Sequence, residues 1–267
     1  MILLLFNSVC GDEFPTICGE CDPSSCNNDE DPSPTPPSPT PPAPSAGDGT
    51  PGFTTTWTSD PNTIQGGACE YATPSATAQG DSWLSPFVKS GNYCGVTLDL
   101  FEGGAACGRC YLVKYDGSPA TDLGRPGEQI VQIVETGTAG GYTNLFDCFI
   151  DAKERITGSD TGIFPITYSQ VDCPNPASPA AVVLDGNNAW YVKVLLAGGP
   201  SGIVSATLRI GESTFPLSRV AGATFSASTN NAQGPASFDV TYDNGDTATI
   251  DGCFGGAWPV DTSSVCD

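Results

Sequence analysis

Cys107-Gly108-Arg109-Cys110-Tyr111 runs straight into Leu112-Val113-Lys114-Tyr115, and this stretch decides how the middle of the chain is read. Gly108 lets two cysteines bracket a tight bend, because a residue without Cβ tolerates backbone angles that others resist. The bend feeds an apolar and aromatic run, which predicts a strand over Cys110 to Tyr115, and Gln129 to Glu135 predicts another. A Cys-x-x-Cys spacing also occurs in redox centres, but no βαβ pattern surrounds this one, so a structural role is the better reading.

Outward from these strands, residues 53–174 form a Gly-rich region with six cysteines and one brief helix. Phe149, Ile150 and Ile156 recur at helical spacing, and Asp151 followed by Glu154 reads as an N-cap with its capping-box partner. That places Asp147 in a loop just before the helix. After Cys173 the pattern becomes alternating: Trp190, Val192, Val194 and Leu196 share one face of a strand, and Phe238, Val240 and Tyr242 share another. Asp243-Asn244-Gly245 is a hairpin signal before Thr247 to Ile250. Residues 180–267 thus predict a sandwich of six to eight strands.

Toward the amino terminus, the repeated Pro-Ser-Pro-Thr-Pro-Pro of residues 31–49 predicts an extended linker without a core, whose Ser and Thr could carry O-linked sugars. Residues 1–30 combine a possible partial signal, Ile2-Leu3-Leu4-Leu5-Phe6, with Cys10, Cys18, Cys21 and Cys26. The apolar run lacks the basic start and usual length of a signal peptide. The four cysteines suit zinc or two local disulfides, and an exported setting favours disulfides.

Composition narrows the chemistry. The 32 Gly and 24 Pro favour turn-rich β structure. Nine Lys plus Arg against 30 Asp plus Glu leave a formal charge of −21, which repels nucleic acid and acidic pectin but not a neutral glucan. No histidine is present, so Ser-His-Asp triads, Cys-His nucleophiles and His-ligated metals are excluded, and carboxylates must carry any acid–base work. Twelve cysteines point to disulfides and an oxidising, extracellular compartment. No cofactor, no metal, no transmembrane anchor and a monomeric state are expected.

Gly66-Gly67-Ala68-Cys69-Glu70-Tyr71, Cys107-Gly108-Arg109-Cys110-Tyr111, Leu145-Phe146-Asp147 and Pro165-Ile166-Thr167-Tyr168 with Cys173 resemble expansins in order and spacing. The resemblance implies a mainly β protein, a six-stranded double-psi β-barrel related to family 45 endoglucanases followed by an immunoglobulin-like β-sandwich that binds carbohydrate. It implies the disulfides Cys69 with Cys107, Cys110 with Cys173, Cys94 with Cys148, and Cys253 with Cys266. Asp147 matches the aspartate of the family's His-Phe-Asp motif, with Leu145 in place of the histidine. Glu135 matches a second groove carboxylate, and Thr56 the threonine that hydrogen-bonds the groove carboxylate.

Trp57 and Tyr71 are the barrel's sugar-contacting candidates, and Trp190, Tyr191, Phe215 and Phe225 those of the sandwich; Ala221 stands where plant members commonly place Trp. The implied activity is wall loosening, in which a bound glucan is freed from its non-covalent contacts without hydrolysis. The alternatives are a family-45-like endoglucanase, for which the Asp-Cys-Cys context of the catalytic base is missing, and a structural carbohydrate-binding protein of the wall or extracellular matrix.

Overall fold

The computed structural model describes residues 49–60, 67–71, 85–118, 123–137, 141–259 and 265–266. The expected segments 1–30 and 31–49, with Cys10, Cys18, Cys21 and Cys26, lie outside these residues apart from Gly49.

The first unit is a closed barrel of six strands: β1 (Thr50–Thr58), β2 (Tyr93–Val96), β3 (Cys110–Tyr115), β4 (Gly127–Thr136), β5 (Leu145–Phe149) and β6 (Phe164–Val171), in the spatial order β1-β5-β2-β4-β3-β6. Its strands are rich in Thr, Val, Ile and aromatics, which suit a pleated, half-buried surface. Closure removes the free edges that an open sheet would expose. Phe146, Tyr111 and Tyr168 meet inside it, with ring centroids 4.9 to 5.9 Å apart.

The helix at the end of β5 spans Ile150–Thr157 and is stopped by Gly158, which takes the left-handed conformation at φ 67°. Its N-cap is Phe149, with no side-chain cap, so Asp151 is not the cap the sequence suggested. Asp151 instead lies in the first turn, where it favours the helix dipole and faces Arg155 at 3.8 Å. The strand therefore runs directly into the helix, and Asp147 is in β5 rather than in a loop.

The second unit holds β7 (Ala180–Val183), β8 (Tyr191–Ala197), β9 (Ile203–Ile210), β10 (Ser213–Ala221), β11 (Thr224–Ser228), β12 (Gly234–Tyr242), β13 (Thr247–Trp258) and β14 (Val265–Cys266). Strand β10 is the corner: Ser213 to Leu217 pair with β9, and Ser218 to Ala221 pair with β11. The layer β13-β12-β9 thereby passes into the layer β11-β8-β7-β14, giving the expected sandwich. Val192, Val194 and Leu196 of β8 pack with Leu208, Phe238, Val240 and Tyr242 between the layers.

Trp190 does not join that face, because it lies in the turn before β8, where its N–H bonds Asn188 Oδ1 at 2.8 Å. The opposite side of β8 is also apolar: Leu195 and Ala197 are buried in the same cluster as barrel residues Tyr71 and Cys107. A layer covered on both faces reads as a continuous apolar run, as in Val194-Leu195-Leu196-Ala197.

Disulfides join Cys69 to Cys107, Cys94 to Cys148 and Cys110 to Cys173 in the barrel, and Cys253 to Cys266 in the sandwich. Each contributes about 2 to 4 kcal/mol, chiefly by restricting the unfolded chain.

Candidate functional site

Four neighbouring strands place one residue each at the same level. Thr55 of β1 lies opposite Asp147 of β5, Asp147 opposite Gly95 of β2, and Gly95 opposite Glu135 of β4. Directly opposed residues share a face of the sheet, so this row Thr55–Asp147–Gly95–Glu135 is one stripe across the barrel wall. It lies on the face away from Phe146 and Cys148, which are fully buried. Gly95, between the two carboxylates, lets the Glu135 side chain pack close against the β2 backbone. A Cβ there would come within 3.3 Å of the Glu135 side chain, and one at Gly137 would come within 3.2 Å of Asp147 Oδ2.

Asp147 Oδ1 is buried and has no hydrogen-bond partner among the described residues. Burial alone pushes its carboxyl above the usual carboxylate range, because a charge removed from water without compensation is costly. Leu145, which stands where the resembling motif has histidine, is buried two residues before it and supplies only apolar surface. Glu135 is also pushed up by burial, but here the backbone N–H groups of Thr136 and Ala68 oppose the shift. They donate to Oε1 at 2.6 Å and Oε2 at 2.9 Å. One carboxyl is therefore anchored, and the other keeps an oxygen without a partner among the described residues.

Thr56 does not reach Asp147. Its hydroxyl bonds the Asp160 carbonyl, because alternation along β1 turns Thr54 and Thr56 away from the face that carries Thr55. Thr54 is buried with Oγ1 3.6 Å from Cys148 Sγ. Thr55 is thus the threonine level with the carboxylate; Gly95 is level with it too, and Gly137 lies against it, none of which was singled out from the sequence. The run Thr54-Thr55-Thr56 held the signal, but only strand register tells which of the three shares the Asp147 face.

Trp57 is half-buried, edge-on to Tyr93 at 6.4 Å, and Tyr93 stacks on Phe149 at 5.0 Å. This aromatic group flanks the row, one step along β1, β5 and β2 from Thr55, Asp147 and Gly95. Tyr71, by contrast, is buried among barrel and sandwich residues, so it presents no face to a sugar. Phe225 is buried too, with the Arg219 guanidinium 4.5 Å over its ring, and Phe215 packs half-buried on the sandwich core. Of the sandwich aromatics expected to form a platform, Trp190 at 63% and Tyr191 at 36% exposure remain at the surface.

No family model matches the chain. Expansin-A20 of Oryza sativa subsp. japonica is 32% identical to it over 174 residues, covering 62% of this chain and 71% of the relative. Expansin-A19 of the same organism is 30% identical over 183 residues, covering 62% and 72%. Among solved structures, the apo expansin of Clavibacter michiganensis matches with a TM-score of 0.60 at 20% identity, over 81% of this chain and 94% of that one. A point mutant of the same bacterial protein, solved in complex with cellohexaose, matches with the same TM-score at 19% identity. The bacterial structures share the two-part fold described above.

Proposed function

Because the chain belongs to the expansin family, we propose that it is an exported cell-wall protein that binds neutral glucan and loosens its non-covalent contacts without hydrolysis. The observation that carries this reading is the buried Oδ1 of Asp147, without a hydrogen-bond partner among the described residues, in one row with Glu135. A carboxyl with a raised pKa can donate a hydrogen bond to a glucan oxygen when protonated and accept one from a hydroxyl when ionised. Exchange of this kind competes with the lateral hydrogen bonds between chains. Glu135, held by two backbone N–H groups, serves as a fixed acceptor on the far side of Gly95.

Trp190 and Tyr191 offer flat apolar surface to pyranose rings, in keeping with the cellohexaose complex of the bacterial relative. The charge of −21 fits a neutral polymer better than an acidic one. No helix among the described residues is long and apolar enough to cross a membrane.

One observation favours hydrolysis as a second reading: two carboxyl groups flank a residue without a side chain, and an inverting glycosidase needs such a pair about 6.5 to 9.5 Å apart. Against it, both oxygens of Glu135 are already engaged by backbone N–H groups, which weakens Glu135 as a base toward water.

The test is Asp147→Asn, measured by extension of heat-inactivated wall strips, by polysaccharide retention and by release of reducing ends. The expected outcome is retained binding, lost extension and negligible sugar release by the native protein. Full extension by the folded variant removes Asp147 from the mechanism, and steady sugar release by the native protein establishes the hydrolase. Trp190→Ala should weaken retention by about 0.5 to 1.5 kcal/mol while leaving the fold intact.

A further inference from the structure

Phe53 lies two residues before Thr55 on β1, opposite Leu145, and therefore on the face that carries the Asp147 row. It is only half-buried, and its ring meets that of Tyr142 edge-on, with centroids 5.0 Å apart and planes at 65°. Tyr142 is 39% exposed. In strand geometry the step from Thr55 to Phe53 is about 7 Å, so this aromatic pair is the next surface a chain would meet on leaving Asp147 at the end away from Trp57.

The corner that holds Tyr142 in place is built rather than incidental. Asn144 adopts a left-handed conformation at φ 54°, uncommon for a residue with a side chain. Its backbone N–H donates to Asp99 Oδ2 at 3.3 Å, its side-chain amide donates to the Pro51 carbonyl at 3.4 Å, and its own carbonyl accepts from Phe53 N–H at 3.0 Å. Gly52 is required under it, since a Cβ there would lie 2.4 Å from the Asn144 carbonyl oxygen. Asp99, exposed beside this corner, is held below the usual carboxylate range by the Thr97 hydroxyl, and so stays an ionised acceptor.

We propose that Phe53, Tyr142 and Asp99 form an additional binding subsite for one ring of a neutral β-linked glucan, extending the Asp147 row beyond β5. This rests on the glucan-binding reading above. The exposed face of Tyr142 takes the apolar face of the sugar, Phe53 fixes the Tyr142 ring from behind, and Asp99 accepts from an equatorial hydroxyl. An aromatic face with a flanking carboxylate suits a pyranose, which presents C–H groups on its faces and hydroxyls at its rim. A protein partner is disfavoured because the exposed aromatic surface is small, Tyr142 with the half-buried Phe53 beside it.

Isothermal titration with cellotriose and cellohexaose tests this on the native chain, Tyr142→Ala, Tyr142→Leu and Tyr142→Phe. Tyr142→Ala should bind cellohexaose roughly 3- to 10-fold more weakly, as expected for one lost stacking contact. Cellotriose, which is short enough to occupy the centre of the row alone, should change less. Tyr142→Phe should restore hexamer binding, because it keeps the flat face. Tyr142→Leu keeps an apolar contact with Phe53 but has no face, and should match the alanine variant. Native binding that the Tyr142 variants leave untouched, or weaken equally for both lengths, overturns the subsite alone. Absence of binding of either oligomer by the native protein overturns the glucan reading and the subsite with it.

Discussion

The guanidinium of Arg109, in the bend before β3 of the barrel, hydrogen-bonds the carboxylate of Asp243, at the turn of the β12–β13 hairpin 134 residues later. Asp243 also accepts from the Ser201 hydroxyl and, at 2.8 Å, from Gln170 of β6. Both charged side chains are about nine-tenths buried, while the second carboxylate on Arg109, Glu102 at 3.0 Å, is half exposed. Nearby, Arg219 of β10 donates to the carbonyl of Gly104 at 3.1 Å, and Cys173 N–H donates to the Pro200 carbonyl at 2.7 Å. Groove and sandwich are therefore tied by buried polar contacts as well as by apolar surface.

Breaking such a pair from the Asp243 side leaves the buried guanidinium with only the half-exposed Glu102, at a cost toward the lower end of the about 3 to 5 kcal/mol of a broken buried pair. Asp243→Asn, close in shape but uncharged, should therefore lower stability by that amount in urea unfolding. Glu102→Gln should cost under about 1 kcal/mol, because an exposed partner is already solvated. Replacing the pair together, Arg109→Met with Asp243→Leu, should recover much of the loss. An Asp243→Asn variant as stable as the native chain would show that water reaches the pair freely.

Lys153 is fully buried in the helix after β5, donating to Thr157 Oγ1 at 3.0 Å and the Ser159 carbonyl at 3.4 Å, with the Phe164 ring 4.1 Å away. Burial pushes its ammonium down to about 8, with Asp160 opposing. The unfolded value is near 10.4, so the folded state favours the neutral amine. Below about pH 8 the amine is charged in both states and the burial cost is fully present. As pH rises from about 8 to 10.4, that cost is relieved. Native stability should thus rise across this window relative to Lys153→Met, whatever the offset between them at pH 7. Parallel unfolding free energies from pH 7 to 10 would contradict the shift.

The strands were readable because alternation and β-branched runs are local properties. Val192, Val194 and Leu196, or Phe238, Val240 and Tyr242, need no knowledge of their neighbours. Phe225 and Tyr71 misled for the converse reason. Phe225 turns into the core between the two sandwich layers, and Tyr71, in a turn, is covered by barrel and sandwich residues together; neither burial shows in the local sequence. Asp147 could be picked out by resemblance, but its row could not. Thr55, Gly95, Glu135 and Asp147 come together through parallel and antiparallel pairings of segments far apart in the chain. A shift of one residue in β1 would exchange Thr55 for Thr56, the threonine that the sequence reading chose.

The last prediction separates the electrostatic state of Asp147 from its packing. Its carboxyl is raised by burial, and its Oδ1 has no hydrogen-bond partner among the described residues, so ionisation is harder in the folded chain than in the unfolded one. For a raised carboxyl the sign runs opposite to the salt-bridged case. No penalty exists below the unfolded value near 3.9, where both states are protonated, and stability is lost as pH rises through the folded value. Asp147→Asn does not titrate, so relative to it the native chain should be at its best near pH 3.5 and fall behind as pH approaches 7. Any fixed cost of the amide group, which needs partners of its own, shifts the whole curve without changing this slope. If the protonated carboxyl is the form that works on glucan, native wall extension should decline through the same pH interval in which the stability difference opens. Urea unfolding at half-unit steps, run beside extension assays in the same buffers, measures both. Parallel stability curves for the two proteins would mean that Asp147 is solvated and has an ordinary pKa, and an extension profile that ignores the interval would mean its proton takes no part in loosening.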